Sequence, residues 1–403
     1  MGKYIVVCLD GTGNSPTQVD SEYATRNGVK LSCVESNVMK LWGAITGGKS
    51  EYQPAEYLSK DLYKYYGMVK SLDLGSGFKG DAVYINGVGS VGRKWDLTYE
   101  GATGTGTSAR IRDAYRFVAE RWEGNEDKIC IFGFSRGAFA ARSLAGFIGS
   151  VGLPSGRRVL PEQEIGALWS AYVNNDSYEG GLYSSLTRDV KIEFLGIWDT
   201  VGSLAFGETF NSFHKLSPAC VKCVRHALAL DEVRPHFAPT YWIMENGVAP
   251  SDQDVREVWF GGVHSNIGGG YQVESLSNIA YVWMLRELAS RFGFSGSIHK
   301  SFEYEAEAVD IGWHNRRDSY KEFYSGWKKA LALLKGGIAK RKVMPGQFIH
   351  PSVFEWMTDG GYSPEAINSS GAKIIWEWAA PRVLQVQDWI LDSESESLRK
   401  SLS

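Results

Sequence analysis

"KICIFGFSRGAFAA", residues 128–141, decides the fold. The apolar run Ile129 to Phe132 ends in Gly133-Phe134-Ser135-Arg136-Gly137, and an alanine-rich stretch with helical spacing begins at once. Gly-x-Ser-x-Gly between a strand and a helix is the context of a nucleophile elbow. Gly133 and Gly137 carry no Cβ, so the chain can turn sharply and leave Ser135 on strained backbone with its Oγ exposed. The N–H of Arg136 then points from the first turn of the helix to where an oxyanion would form.

A serine nucleophile needs a base, and the base needs an orienting acid; on this fold both follow the serine in the chain. Asp199 stands just after the apolar run Ile192 to Trp198, in Trp-Asp-Thr-Val-Gly. His264 follows the run Val255 to Phe260, inside the glycine-rich Gly261 to Gly270. Of the seven histidines only His264 has both a strand before it and such a loop around it. His226, beside Arg225, reads as packing in an apolar, helix-like stretch; the other five lie beside proline or in polar segments.

Further apolar runs at Tyr4 to Leu9 and Ala82 to Val88 alternate with helical spacing at Ser108 to Trp122, Gly137 to Ile148 and Leu276 to Phe292. Continuous apolar strands alternating with helices imply a mostly parallel sheet covered on both faces, with ligands at the carboxyl ends of its strands. The expected fold is an α/β-hydrolase over residues 1–292. Residues 150–189, rich in Gly, Asn, Ser and Tyr, read as a cap-like insertion over the catalytic end, and 293–403 as a C-terminal extension where the strand–helix rhythm fades.

The N-terminal loop Asp10-Gly11-Thr12-Gly13-Asn14 suggests a haloacid dehalogenase phosphatase, but the nucleophilic aspartate of that chemistry would occupy the position of Cys8. Placed after a strand beside the nucleophile strand, the loop instead suits the second half of an oxyanion hole. Gly11 or Thr12 would supply the N–H and Asp10 would brace the loop by accepting backbone hydrogen bonds.

Composition excludes other classes. The chain has 403 residues, a net charge of −3 and 22% charged residues, which argues against binding nucleic acid. Five scattered cysteines imply no disulfide framework, and a lone Cys220-Val-Lys-Cys223 lacks a second ligand pair, so no metal or cofactor is expected. No segment has the length of a signal h-region or a membrane span, so the expectation is cytoplasmic synthesis, with export by a signal-independent route left open. Gly43 to Ser50 matches a P-loop pattern, but the preceding segment looks helical, where a P-loop needs a strand. Lys321 to Lys342 is strongly basic with apolar residues at helical spacing. It suits either peripheral contact with an anionic membrane or a tail helix packed on the domain.

Five motifs in order, Asp10 to Asn14, Gly133 to Ala138, Trp198 to Val201, His226 to Glu232 and Val263 to Tyr271, resemble the α/β-hydrolase domain of the first class of Tle phospholipase effectors of type VI secretion. The resemblance spans roughly residues 3 to 290. It implies a Ser135–His264–Asp199 triad, cleavage of glycerophospholipid acyl esters, and a secretion or immunity partner for an effector. In that family the histidine loop more often reads Phe-Pro-Gly-Val-His-Ser-Asp; here Gly261 replaces the proline and Asn266 the second acid, and the resemblance implies that losing this acid alters how the loop is held. The alternatives are an esterase for non-lipid substrates and a catalytically idle hydrolase fold used as a binding module.

Overall fold

Tyr4–Leu9 (β1), Tyr-Ile-Val-Val-Cys-Leu, is buried along its whole length, as a strand covered on both faces must be. The computed structural model describes residues 2–20, 25, 27–28, 30, 32–46, 67–73, 78–90, 105–176, 185–201, 218–242, 250–293, 341–360, 362–364, 366–367, 373–375 and 383–385. After β1 come helix α1 (Asn37–Ile45), strands β2 (Gly67–Asp73) and β3 (Lys79–Ile85), and helix α2 (Thr105–Ala119). Strand β4 (Lys128–Phe134) then runs directly into helix α3 (Arg136–Val151). The chain continues through β5 (Leu153–Pro154), α4 (Glu162–Asn174), β6 (Leu186–Thr187), β7 (Ile192–Trp198), β8 (Cys223–Ala229) and β9 (Asp254–Phe260). Helices α5 (His264–Gly268) and α6 (Ser275–Phe292) come next, and the described C-terminal elements are β10 (Phe348–Ile349), α7 (Pro351–Gly360), β11 (Lys373–Ile375) and β12 (Val383–Gln385).

Ten of these strands form one sheet in the order β12-β11-β10-β9-β8-β7-β4-β1-β3-β2, parallel from β11 to β3, with an antiparallel strand at each edge. Successive side chains of a strand face opposite sides, and the core divides accordingly. Ile5, Val7, Leu9, Ile129 and Ile131 pack with α2, α3 and α4 on one side. Tyr4, Val6, Cys8, Cys130, Phe132 and Phe134 pack with α1 and α6 on the other.

Register carries the strand ends to one edge. Leu9 lies beside Gly133, Phe134 beside Trp198, Trp198 beside Ala227, and Ala229 beside Phe260. The residues just past each strand, Asp10, Ser135, Asp199, Leu230 and Gly261, therefore emerge together at the carboxyl edge.

Two expectations are corrected. The stretch around His226 is not helix-like: Cys223–Ala229 is a fully buried strand in the middle of the sheet. Arg225 and His226 break its apolar pattern, yet both are satisfied, Arg225 by Asp254 and Glu287 and His226 by Glu257 at 2.7 Å. The strand expected at Ala82 to Val88 ends at Ile85, because the chain then turns into a loop whose carbonyls at Asn86 and Gly87 accept from Arg110. The described residues of 150–189 lie away from the carboxyl edge; residues 177–184 of the cap-like insertion lie outside the described residues. Helix α3 runs back from Ser135, antiparallel to the strands, so the chain leaves it at the amino end of the sheet. There Trp169 and Tyr172 pack on Phe147 at 5.3 and 5.4 Å, and the Arg157 N–H donates to the carbonyl of Trp122 at 3.1 Å, just ahead of β4.

Gly43 lies within helix α1, which a P-loop glycine cannot do; Gly47 to Ser50 lie outside the described residues. The basic segment 321–340 also lies outside them. The chain beyond that segment joins the sheet: β10 pairs with β9, and Val353, Phe354 and Trp356 of α7 pack with Trp259 in a third buried cluster.

Candidate active site

Ser135 sits between β4 and α3 at φ 59°, ψ −124°, a conformation an L-residue adopts only under constraint. Two close approaches impose it. A Cβ on Gly133 would lie 2.4 Å from the carbonyl oxygen of Gly137, and one on Gly137 would lie 2.2 Å from that of Leu9. Only glycine at both positions lets β4, the turn and β1 come this close. The Ser135 N–H donates to the carbonyl of Trp198 at 3.0 Å, which ties the elbow to the end of β7.

The structure brings the three sequence-derived residues together. His264 opens the short helix α5, and its Nε2 lies 2.8 Å from Ser135 Oγ while its Nδ1 lies 2.6 Å from Asp199 Oδ2. The ionised Asp199 can only accept, so Nδ1 carries the proton and Nε2 is left to accept from the serine hydroxyl. The imidazole is packed between Phe134 and Phe237, with ring centres 4.7 and 4.8 Å away. Burial in this apolar setting lowers the pKa of His264 despite the opposing pull of Asp199.

Asp199, fully buried, is held at φ 39°, again in the left-handed region. Its Oδ1 accepts the N–H of Ala229 at 3.1 Å. Burial would raise its pKa, but the Arg341 guanidinium beside it and the bond from His264 outweigh that, and the carboxyl is held well below the usual range. Arg341 donates to both Asp199 oxygens, and to the carbonyls of Ala229 at 3.0 Å and Phe237 at 2.7 Å. It is the second-to-last residue of the basic stretch 321–342, so this cation at least is turned inward and not toward a membrane.

The N-terminal loop arrives beside the serine. Asp10 accepts from the N–H of Gly11 at 2.7 Å, from Asn14 Nδ2 at 3.1 Å, and from the hydroxyls of Ser36 and Tyr84, both at 2.6 Å. Burial raises its pKa against those hydrogen bonds. The Gly11 N–H is thus engaged by Asp10, whereas that of Thr12 has no acceptor among the described residues. Arg136 comes directly after Ser135; its mostly buried guanidinium has its pKa lowered to about 10 by desolvation and by the nearby charge of Arg110.

The histidine loop is clamped by two acids just past β8. Asp231 Oδ2 accepts the Gly262 N–H at 2.7 Å and the Tyr362 hydroxyl at 2.8 Å; Glu232 Oε2 accepts the His264 N–H at 3.3 Å. Asn266 Oδ1 accepts the Val263 N–H at 3.1 Å, a bond that needs no second acid at this position. Further back, His226 Nε2 accepts the Thr200 N–H at 3.2 Å while its Nδ1 donates to Glu257, steadying the residue after Asp199. Sequence reasoning assigned no role to Asp231, Glu232, His226 or Arg341. The first three lie in or beside a quoted motif, His226 to Glu232, which was the available signal; Arg341 had none.

Among the described residues no group of three or more His, Cys, Asp or Glu is placed to hold a metal, and no helix is long and apolar enough to cross a membrane.

The chain resembles known proteins. The family model described as T6SS phospholipase effector, Tle1-like, catalytic domain matches residues 3–287. The uncharacterized protein YEL023C of Saccharomyces cerevisiae is 27% identical over an alignment 264 residues long that covers 59% of this chain and 32% of that protein. Among solved structures, an uncharacterized protein from Pseudomonas aeruginosa aligns with a TM-score of 0.40 at 17% identity, over 76% of this chain and 51% of the other. A Tle1 effector bound to the VgrG spike of the type VI secretion system aligns with a TM-score of 0.34 at 24% identity, over 68% of this chain and 51% of the other. The chain thus spans about a third of the yeast relative and about half of each bacterial one.

Proposed function

The chain belongs to the Tle1-like phospholipase effector family of type VI secretion, matching its catalytic domain, and from that premise we propose that it is a serine hydrolase cleaving acyl esters of glycerophospholipids. The observation that carries the reading is the unbroken hydrogen-bond chain from Ser135 Oγ through His264 to Asp199, at 2.8 and 2.6 Å, with the serine on strained backbone at a sheet edge.

In this reading His264 Nε2 takes the Ser135 proton as Oγ attacks the ester carbonyl, and the carbonyl π pair moves onto oxygen. The N–H groups of Arg136 and Thr12 are the donors proposed for that oxyanion; the N–H of Gly11 is already bound to Asp10. Collapse expels the alcohol, which takes the proton from His264 and leaves an acyl-Ser135. His264 then draws a proton from water, whose oxygen attacks the acyl carbon, and the fatty acid departs as Ser135 recovers its hydrogen. Asp199 keeps the histidine in the required tautomer and stabilises the imidazolium between steps. Delivery through a type VI secretion partner belongs to the same proposal and rests on the family alone.

The test has two parts. A fluorophosphonate probe is expected to label the folded protein and not Ser135→Ala; absence of labelling of the wild type sinks the serine-hydrolase reading. Mass spectrometry after incubation with mixed phospholipid vesicles is expected to show lysophospholipid and free fatty acid. Turnover of short soluble esters alone would remove the phospholipid part and leave a non-lipid esterase.

A further inference from the structure

Arg341 lies far beyond the matched catalytic domain, which ends at residue 287, yet it is buried at the centre of the site. Its two terminal nitrogens span the Asp199 carboxylate, and its remaining hydrogen bonds go to the carbonyls of Ala229, at the end of β8, and Phe237. Those are the segments that flank the aspartate. A guanidinium fork fixed at both ends leaves the carboxylate little freedom to rotate away from the imidazole.

The position of Arg341 is itself built in. Two residues on, Val343 is fully buried and its N–H donates to the carbonyl of Ala366 at 3.3 Å. Gln347 links Trp259, Glu257 and the Met344 N–H at 2.7, 3.0 and 2.8 Å. Strand β10 then pairs beside β9. The segment that delivers the arginine is therefore fastened to the two strands whose ends carry the acidic clamp and the histidine loop.

We propose that Arg341 is a positioning residue supplied by the C-terminal segment, which completes the active site by fixing Asp199 and by keeping the Asp199–His264 pair from taking up a proton. This rests on the serine-hydrolase reading above. The charged and titratable groups facing the pair are Arg341 itself, Glu232 and Arg234 from the segment after β8, and Tyr241; His226 and Glu257 stand behind Thr200. Glu232 is already bound to Arg234 at 2.8 Å through both carboxylate oxygens. Removing Arg341 leaves a buried carboxylate beside the imidazole with no direct cationic partner but His264. A proton added to the pair, wherever it settles, is then held more tightly and the base is lost at a higher pH.

The experiment measures the rate at which a fluorophosphonate labels Ser135 as a function of pH in the full chain, for wild type, Arg341→Lys and Arg341→Met, each checked for folding by circular dichroism. Labelling is expected to slow by about tenfold or more in Arg341→Met, with the midpoint of the acid limb raised by about one pH unit or more. Lysine, a point charge without the fork, should give a smaller shift in the same direction. Should the methionine variant not fold, the lysine variant decides alone. Slower labelling with an unmoved acid limb means a merely structural role and overturns the proposal, as does a wild-type rate and limb in either variant. A wild type that is never labelled instead overturns the hydrolase reading on which the proposal stands.

Discussion

A Cβ placed on Gly11 would lie 3.2 Å from the Cβ of Ser135 and 2.8 Å from the Phe134 ring. The backbone of the N-terminal loop thus packs against side-chain atoms of the nucleophile elbow, at a point where neither neighbour can retreat: Ser135 is held by the elbow and Phe134 is packed against His264 at 4.7 Å. Gly11→Val is therefore expected to displace the serine or the ring by a fraction of an ångström to an ångström. Misplacement on that scale costs about 100-fold in rate. Turnover and melting temperature measured together should show a loss in kcat/KM much larger than the loss in stability. A variant that retains wild-type turnover would show that the loop does not shape the site.

The acid limb of the pH profile should lie below the ordinary histidine range. Burial lowers the pKa of His264 in the folded state, so the neutral imidazole required by the proposed reaction persists below about pH 6.5, the value for a free histidine. The same shift makes the unfolded chain the better proton acceptor, so this histidine subtracts stability as pH falls through that window. Asp199 works lower: its folded pKa is depressed, so its contribution is present above the unfolded carboxylate value and lost as pH falls toward the depressed one. On acidification kcat/KM, measured with a soluble ester, should hold to below about pH 6.5 and then fall. A limb centred above that value contradicts the lowered His264.

Those parts of the molecule that were legible in the sequence are the ones whose cause is local. The buried runs of β1 and β4 and the glycines around Ser135 carry their reason within a few residues, and β1 spans the expected Tyr4 to Leu9. Strand β8 was not legible because Arg225 and His226 look incompatible with a central strand until α6 and β9 supply Glu287 and Glu257. The described residues of 150–189 lie toward the amino end of the sheet, which composition could not say, because it does not show at which end a helix lets go of the chain. Arg341 could not be read at all. A charge in a basic run looks like surface, and its partner Asp199 is 142 residues away in sequence.

Asp199→Asn separates two roles that a loss of activity alone would confuse. The amide cannot hold the histidine tautomer as the carboxylate does, and a loss of about 10,000-fold in kcat is expected. It also strands the Arg341 guanidinium, buried with only carbonyl partners at Ala229 and Phe237. Breaking a buried ion pair on one side costs about 3–5 kcal/mol, so this variant should melt well below wild type. Ser135→Ala, which removes a hydroxyl and leaves the pair intact, should lose activity with a melting temperature close to wild type. Denaturant or thermal unfolding of both variants makes the comparison, and equal stability of the two would show that the Asp199–Arg341 pair contributes nothing net to the fold.

Gly261, at the start of the histidine loop, has no room for a side chain, because the C-terminal helix α7 packs against it. A Cβ there would lie 2.3 Å from the Trp356 ring, a buried side chain of α7 stacked edge-on to Tyr362 at 5.8 Å, and 3.3 Å from the Tyr362 hydroxyl. That hydroxyl bonds Asp231, the residue that also holds the Gly262 N–H, so the ring, the clamp and the histidine loop share one packed corner. Gly261→Ala cannot be absorbed by a flexible side chain and should cost about 1–3 kcal/mol through overpacking. Because the strain falls on the segment leading to His264, kcat should drop as well. Gly261→Ala combined with Trp356→Leu, which opens room at the ring, should recover part of the lost activity relative to Gly261→Ala alone. If the double variant is no more active than the single one, the cost of a side chain at position 261 has some cause other than the Trp356 ring.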